Sequence, residues 1–146
     1  MDWSFILACA HHVAVFALVG VFAAEFALIR PGLSAAQVSQ LSKIDAAYGG
    51  LAVLVIIVGV IRVWFGTGDP GYYLGNWAFW AKIGAFTIMG VLTIPPTLAI
   101  RKWLKAGQGA PPAGEIAAAR RYVHLQAVAL VFVPIFAAAM ARGYGA

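Results

Sequence analysis

Residues 45–65, DAAYGGLAVLVIIVGVIRVWF, decide the fold: Asp45 opens the run, Arg62 stands near its end, and no charge lies between them. At a rise of 1.5 Å per residue, about 20 residues cross the roughly 30 Å of hydrocarbon in a bilayer. The run therefore reads as a transmembrane helix. Working outward, residues 3–29, 77–100 and 119–140 form comparable apolar runs, the first long enough to tilt or protrude. Composition agrees, with 63% hydrophobic and only 10% charged residues in a chain of 146. A soluble domain usually carries about 25% charged residues. The expected fold is all-α, one domain over residues 1–146, a four-transmembrane-helix up-down bundle in contact with membrane lipid.

Breakers separate the runs. Arg30-Pro31-Gly32 ends the first, Gly66 to Gly71 ends the second, and Gly107 to Gly114 forms a flexible connector before the fourth. Ser34-Ala35-Ala36-Gln37 opens a short interfacial helix. Met1-Asp2-Trp3 lacks a basic n-region, so the first run is read as a retained helix rather than a cleaved signal peptide. The single cysteine, Cys9, rules out an internal disulfide framework.

The net charge of +5 does not indicate nucleic acid, because most bases sit in short loops. Arg30 and Lys43 mark the first loop, and Arg101, Lys102, Lys105, Arg120 and Arg121 lie in or beside the third. The second loop, residues 66–76, has no base. The positive-inside rule then makes loops 30–44 and 101–118 cytoplasmic, and puts loop 66–76 and both termini outside. Trp3, Trp64, Trp77 and Trp80 fall near the outer ends and Trp103 near the inner one, as in an aromatic belt.

Depth sorts the polar residues into two layers. His11 and His12 lie about 12 to 14 Å below the outer boundary, and Lys82 and Arg62 occupy the same leaflet. Glu25, Asp45, Tyr48 and His124 form a layer near the cytoplasmic side. Charges in hydrocarbon are expensive, so such side chains turn inward, pair or line a cavity. His11, Ala14, Leu18 and Glu25 share one helical stripe, and Tyr48, Ala52, Val55, Gly59 and Arg62 share another. His12 points about 100° from His11.

A membrane histidine is a candidate axial ligand for haem iron, with the second ring nitrogen held by a hydrogen bond. His11 and His12 are candidate cofactor ligands, and His11, His12 and His124 candidate metal ligands. In straight antiparallel packing His124 and His11 differ in depth by about 10 Å or more, too far to share one iron without a large tilt or shift. Lys82 and Arg62 are candidates to meet an anionic group such as a porphyrin propionate. Lys82 is also a candidate iron ligand or proton donor, or alternatively a snorkelling anchor. Glu25, Asp45 and Tyr48 are candidates for proton handling. The structural alternative has Asp45 capping the second helix and Glu25 meeting Arg30.

Gly20, Gly49, Gly50, Gly59, Gly84 and Gly90 permit close helix approach. Pro95-Pro96 should loosen the third helix. Pro134 should kink the fourth and free the carbonyl of Leu130.

The run Asp45-Ala46-Ala47-Tyr48-Gly49, then Gly59-Val60-Ile61-Arg62, Gly71-Tyr72-Tyr73 and Asn76-Trp77-Ala78-Phe79-Trp80-Ala81-Lys82 resembles DUF2214, a bacterial family of predicted membrane proteins. The likeness extends to Pro95-Pro96-Thr97 and Arg101 and implies a bacterial inner (plasma) membrane location. More distantly, the histidine of the first helix and Lys82 resemble HemJ-type protoporphyrinogen oxidases, with CopD-type membrane domains another distant similarity. The oxidase resemblance implies haem b, with His11 at the porphyrin site and Lys82 as its basic partner. The doubled histidine and the Asp45/Tyr48 and Gly71-Tyr72-Tyr73 features depart from the oxidases. Three functions stay open. One is a haem- or porphyrin-binding protein passing electrons and protons, with quinone or porphyrin as partner. Another is a small-solute or metal-ion transporter subunit working as a homodimer, and the last is an assembly subunit of a membrane complex.

Overall fold

The computed structural model describes residues 2–66, 69–107 and 109–145. They form five helices: α1 (Trp3–Leu28), α2 (Ala35–Phe65), a short α3 (Pro70–Gly75), α4 (Trp77–Ala106) and α5 (Ala113–Ala141). Four of these are long and apolar enough to cross a membrane. The chain is an all-α, multi-pass membrane protein. Antiparallel hairpins α1–α2 and α4–α5 join mainly through α2 against α4, while α1 and α5 touch sparsely. The start of α1, the end of α5 and α3 lie at one end of the bundle, and the facing ends of α1 and α2 and of α4 and α5 lie at the other.

The caps explain why the helices outrun their apolar cores. Ser34 accepts from the Gln37 backbone N–H at 3.2 Å, and the Gln37 side chain accepts from the Ser34 N–H at 2.9 Å. This capping box starts α2 at Ala35 and merges the expected interfacial helix with the second span. Asp45 therefore lies inside α2 and does not cap it. Asn76 caps α4 through Oδ1, which accepts from the Ala78 N–H at 2.8 Å. Gly107, at φ 61°, closes α4 in the left-handed conformation that glycine adopts without strain.

One apolar seam holds the bundle, with Leu18, Phe22, Val55, Met89, Val123 and Ala129 buried between helices. Large side chains also cover the outside, Phe16 at 74% exposure and Phe65 at 73%. Such surfaces are stable where lipid replaces water. Four tryptophans, Trp3, Trp64, Trp77 and Trp80, face outward, but Trp103 is only 4% exposed. Its indole N–H donates to Glu115 at 2.8 Å, so it ties α4 to α5. Of the six glycines expected to allow close packing, only Gly59 has a neighbour where a Cβ would stand, at 3.4 Å from His11 Cε1.

The prolines do not break their helices. Pro96 cannot donate to Leu92, and the Gln126 side-chain amide from α5 supplies that donor at 3.2 Å. α5 continues through Pro134 from Ala113 to Ala141.

Candidate functional site

The polar residues of the spans gather in two places, one toward each end of the bundle. At the termini end, helical periodicity turns His11, Val15 and Leu18 of α1, Gly59 and Arg62 of α2, and Phe79, Lys82 and Phe86 of α4 toward one space. Tyr73 of α3 and Leu130 and Val133 of α5 complete a cavity of about 210 Å³. Its walls are mostly aliphatic and aromatic, and His11, Arg62 and Lys82 supply nearly all their polarity. Among the described residues, no carboxylate lines it. The Lys82 ammonium lies 5.1 Å from the Phe79 ring centroid, one turn back on α4, in a cation–π contact. That contact and its half-buried position hold Lys82 inside the bundle.

Gly59 makes room for the His11 ring, and His11 Nδ1 is buried with no hydrogen-bond partner. His12 sits 6.3 Å away, ring to ring and edge-on, but faces outward. Its Nδ1–H donates to the Ala8 carbonyl at 2.7 Å. His124 is also exposed, its Nδ1–H donating to the Arg120 carbonyl at 2.6 Å and its ring 4.8 Å from that of Phe26. The three candidate ligand histidines thus occupy three different surroundings. Among the described residues, no three His, Cys, Asp or Glu side chains form a metal-sized group.

The second gathering lies nearer the loop end. Asp45 accepts from the Thr97 hydroxyl at 2.6 Å, joining α2 to α4. Tyr48 donates to Gln126 Oε1 at 3.3 Å, and the Thr93 hydroxyl lies 3.0 Å from the same oxygen and 2.9 Å from the Met89 carbonyl. Glu25 is 1% exposed and its Oε2 has no partner. It does not pair with Arg30, which is exposed; the salt bridge among the described residues is Lys102–Glu115. Arg120 turns inward to donate to the Ile29 carbonyl at 2.9 Å, satisfying the end of α1.

The structure therefore brings His11, Lys82 and Arg62 to one cavity, and Asp45, Tyr48 and Glu25 to one buried layer. His12 and His124 stand outside both. Sequence reasoning missed Gln126, Thr93, Thr97 and Tyr73. A glutamine in the middle of an apolar run, set against a Pro95-Pro96 pair, was a usable signal for the first.

No curated protein and no solved structure matches the chain. The family model described as a predicted membrane protein, DUF2214, matches residues 3–145. The chain belongs to the DUF2214 family of predicted membrane proteins.

Proposed function

We propose that the chain binds an anionic, lipid-soluble ligand in the cavity among His11, Arg62 and Lys82. One observation carries this reading: two cationic side chains share an apolar membrane cavity that, among the described residues, no carboxylate lines. Charges at such depth are stabilised by a counter-charge, and a ligand acid group would provide one. Apolar walls suit the ligand's hydrocarbon part, and sparse packing of α1 on α5 leaves it a route from lipid. Loop charges orient the molecule with Arg30, Lys43, Arg101, Lys102 and Lys105 in the cytoplasm, which puts the cavity and both termini on the outer, periplasmic side of the inner membrane.

The distant resemblance to HemJ-type oxidases names a specific version, haem b or another porphyrin in an electron- and proton-transfer reaction. Arg62 and Lys82 fit its propionates and His11 supplies an imidazole. Two features fit less well. The cavity of about 210 Å³ is below the roughly 300–1,000 Å³ usual for ligand sites, and His11 Nδ1 has no acceptor to orient the ring. A single chain in this conformation would therefore admit one edge of a macrocycle. A neutral quinone lacks the acid group that the two cations favour.

The test uses detergent-purified full-length protein and a fluorescent long-chain fatty acid beside its methyl ester. The acid should bind more tightly than the ester by about tenfold or more, as an ion pair worth about 1.4 kcal/mol requires. Arg62→Gln with Lys82→Gln should erase that preference. Equal binding of acid and ester would overturn the reading. Reduced and oxidised absorption spectra after haem b titration test the porphyrin version: a b-type spectrum lost in His11→Ala but kept in His12→Ala supports it, and a colourless protein sinks it.

A further inference from the structure

The buried layer around Glu25 is a second site, separated from the ligand cavity by the apolar seam of Leu18, Val55 and Met89. Its geometry follows from helix register. The Phe22 and Tyr48 rings meet across α1 and α2, with centroids 5.7 Å apart. The helices are antiparallel, so Glu25, three residues after Phe22, comes beside Asp45, three residues before Tyr48. Asp45 is close enough to act on the charge of Glu25, and both act on Tyr48.

The hydrogen-bond pattern leaves this layer rich in acceptors and poor in donors. Thr97 gives its proton to Asp45, and Tyr48 gives its proton to Gln126. The Thr93 hydroxyl lies within donating distance of the Met89 carbonyl and Gln126 Oε1, and the Gln126 amide donates to the Leu92 carbonyl. Among the described residues, none of these donors bonds to Glu25 Oε2, which is buried and unpartnered. The cationic groups of the surrounding helices do not fill the gap. Arg120 of α5 donates to the Ile29 carbonyl, His124 of α5 packs on Phe26, and Arg101 of α4, itself exposed, acts on the Asp45 charge but not on Glu25. Two adjacent carboxylates in a low-dielectric interior cannot both stay ionised without a positive charge between them.

We propose that Glu25 and Asp45, with the hydroxyl oxygens of Tyr48 and Thr97, bind one monovalent cation, a proton or Na⁺, within the membrane. A proton would be shared as a carboxylic acid donating to the neighbouring carboxylate, which satisfies Glu25 Oε2 directly. Na⁺ would use the same oxygens as ligands, as hard cations do. The site lies one to two turns from the basic loops, so the cation would enter from that end. The inference is independent of the anionic-ligand reading, since no residue is common to the two sites.

The test follows thermal unfolding of the detergent-purified full chain by helical circular dichroism, in sodium chloride or choline chloride of equal ionic strength. In choline, raising the pH from about 5 to about 9 should lower the midpoint by about 4 °C or more, because losing the shared proton leaves two adjacent charges. Restoration by sodium at the alkaline pH identifies Na⁺ as an occupant; the same fall in both salts identifies the proton alone. Glu25→Gln keeps the side-chain volume while removing one charge, and it should erase the dependence, whereas Glu115→Gln should keep it. Should Glu25→Gln fail to fold, Asp45→Asn is the second variant. An infrared carboxylic-acid band in the wild type, absent from either variant, reports the proton form without unfolding. A wild type indifferent to both pH and sodium, or an unchanged profile in Glu25→Gln, overturns the proposal. Fatty-acid binding at the other site would survive that result.

Discussion

Pro96 and Gln126 should be energetically coupled although they lie on different helices. Proline at position 96 removes the N–H that would bond to Leu92, and the Gln126 amide donates to that carbonyl at 3.2 Å. Gln126→Leu would leave the Leu92 carbonyl unpaired and deprive Tyr48 and Thr93 of the acceptor they share. Hydrogen bonds between membrane helices average about 0.6 kcal/mol and reach about 1.7. An unsatisfied buried group adds about 1–3 kcal/mol. The single substitution should therefore destabilise by about 1.5–4.5 kcal/mol. Pro96→Ala restores a backbone donor for Leu92, so Gln126→Leu should be milder by about 0.6–1.7 kcal/mol in that background. The assay is a double-mutant cycle on detergent-solubilised protein, with helicity followed through a denaturing-surfactant titration. Strict additivity, within about 0.3 kcal/mol, would refute the view that the glutamine replaces the bond proline removes.

Ser34→Ala should cost about 1 kcal/mol by opening the capping box of α2, while Ser34→Gly should cost only a few tenths, measured in the same titration. Gly59→Val should leave the bundle folded but abolish fatty-acid binding, because its Cβ would stand 3.4 Å from His11 Cε1 and its methyls would enter the cavity. Gly145→Ala should release the C-terminal tail, read as faster proteolysis near residue 143: its φ is +93° and a Cβ would lie 2.7 Å from Trp77 and from Asn76 Oδ1. The Ser4 hydroxyl and the N–H groups of Phe5 and Ser4 hold the Asp2 carboxyl below its ordinary value of 3.8. Its capping contribution is therefore fully present above that pH and lost as the pH falls through the lower folded value. Hydrogen exchange in the first turn of α1 should quicken only in that acid range, and Asp2→Ala should remove the change.

Much of this protein can be read without coordinates, because lipid imposes a simple rule. Every backbone group in hydrocarbon must be satisfied locally, so an uncharged run such as 46–61 has no alternative to a helix. Four such runs yield four spanning helices, and the depth of each polar residue follows from counting. That is why His11, Lys82 and Arg62 could be assigned to one layer before their cavity was seen. Tertiary structure decided what counting along one helix cannot reach. It turned His11 inward against Gly59 and His12 outward, a choice set by which face of α1 packs on α2. It drew Trp103 inside to Glu115, and placed Asp45 within a helix that Ser34 begins. It also enlisted Gln126 for the carbonyl that Pro96 leaves open on another helix. Each of these outcomes depends on which faces of different helices meet, and that is fixed by packing between segments rather than by the order of residues within one.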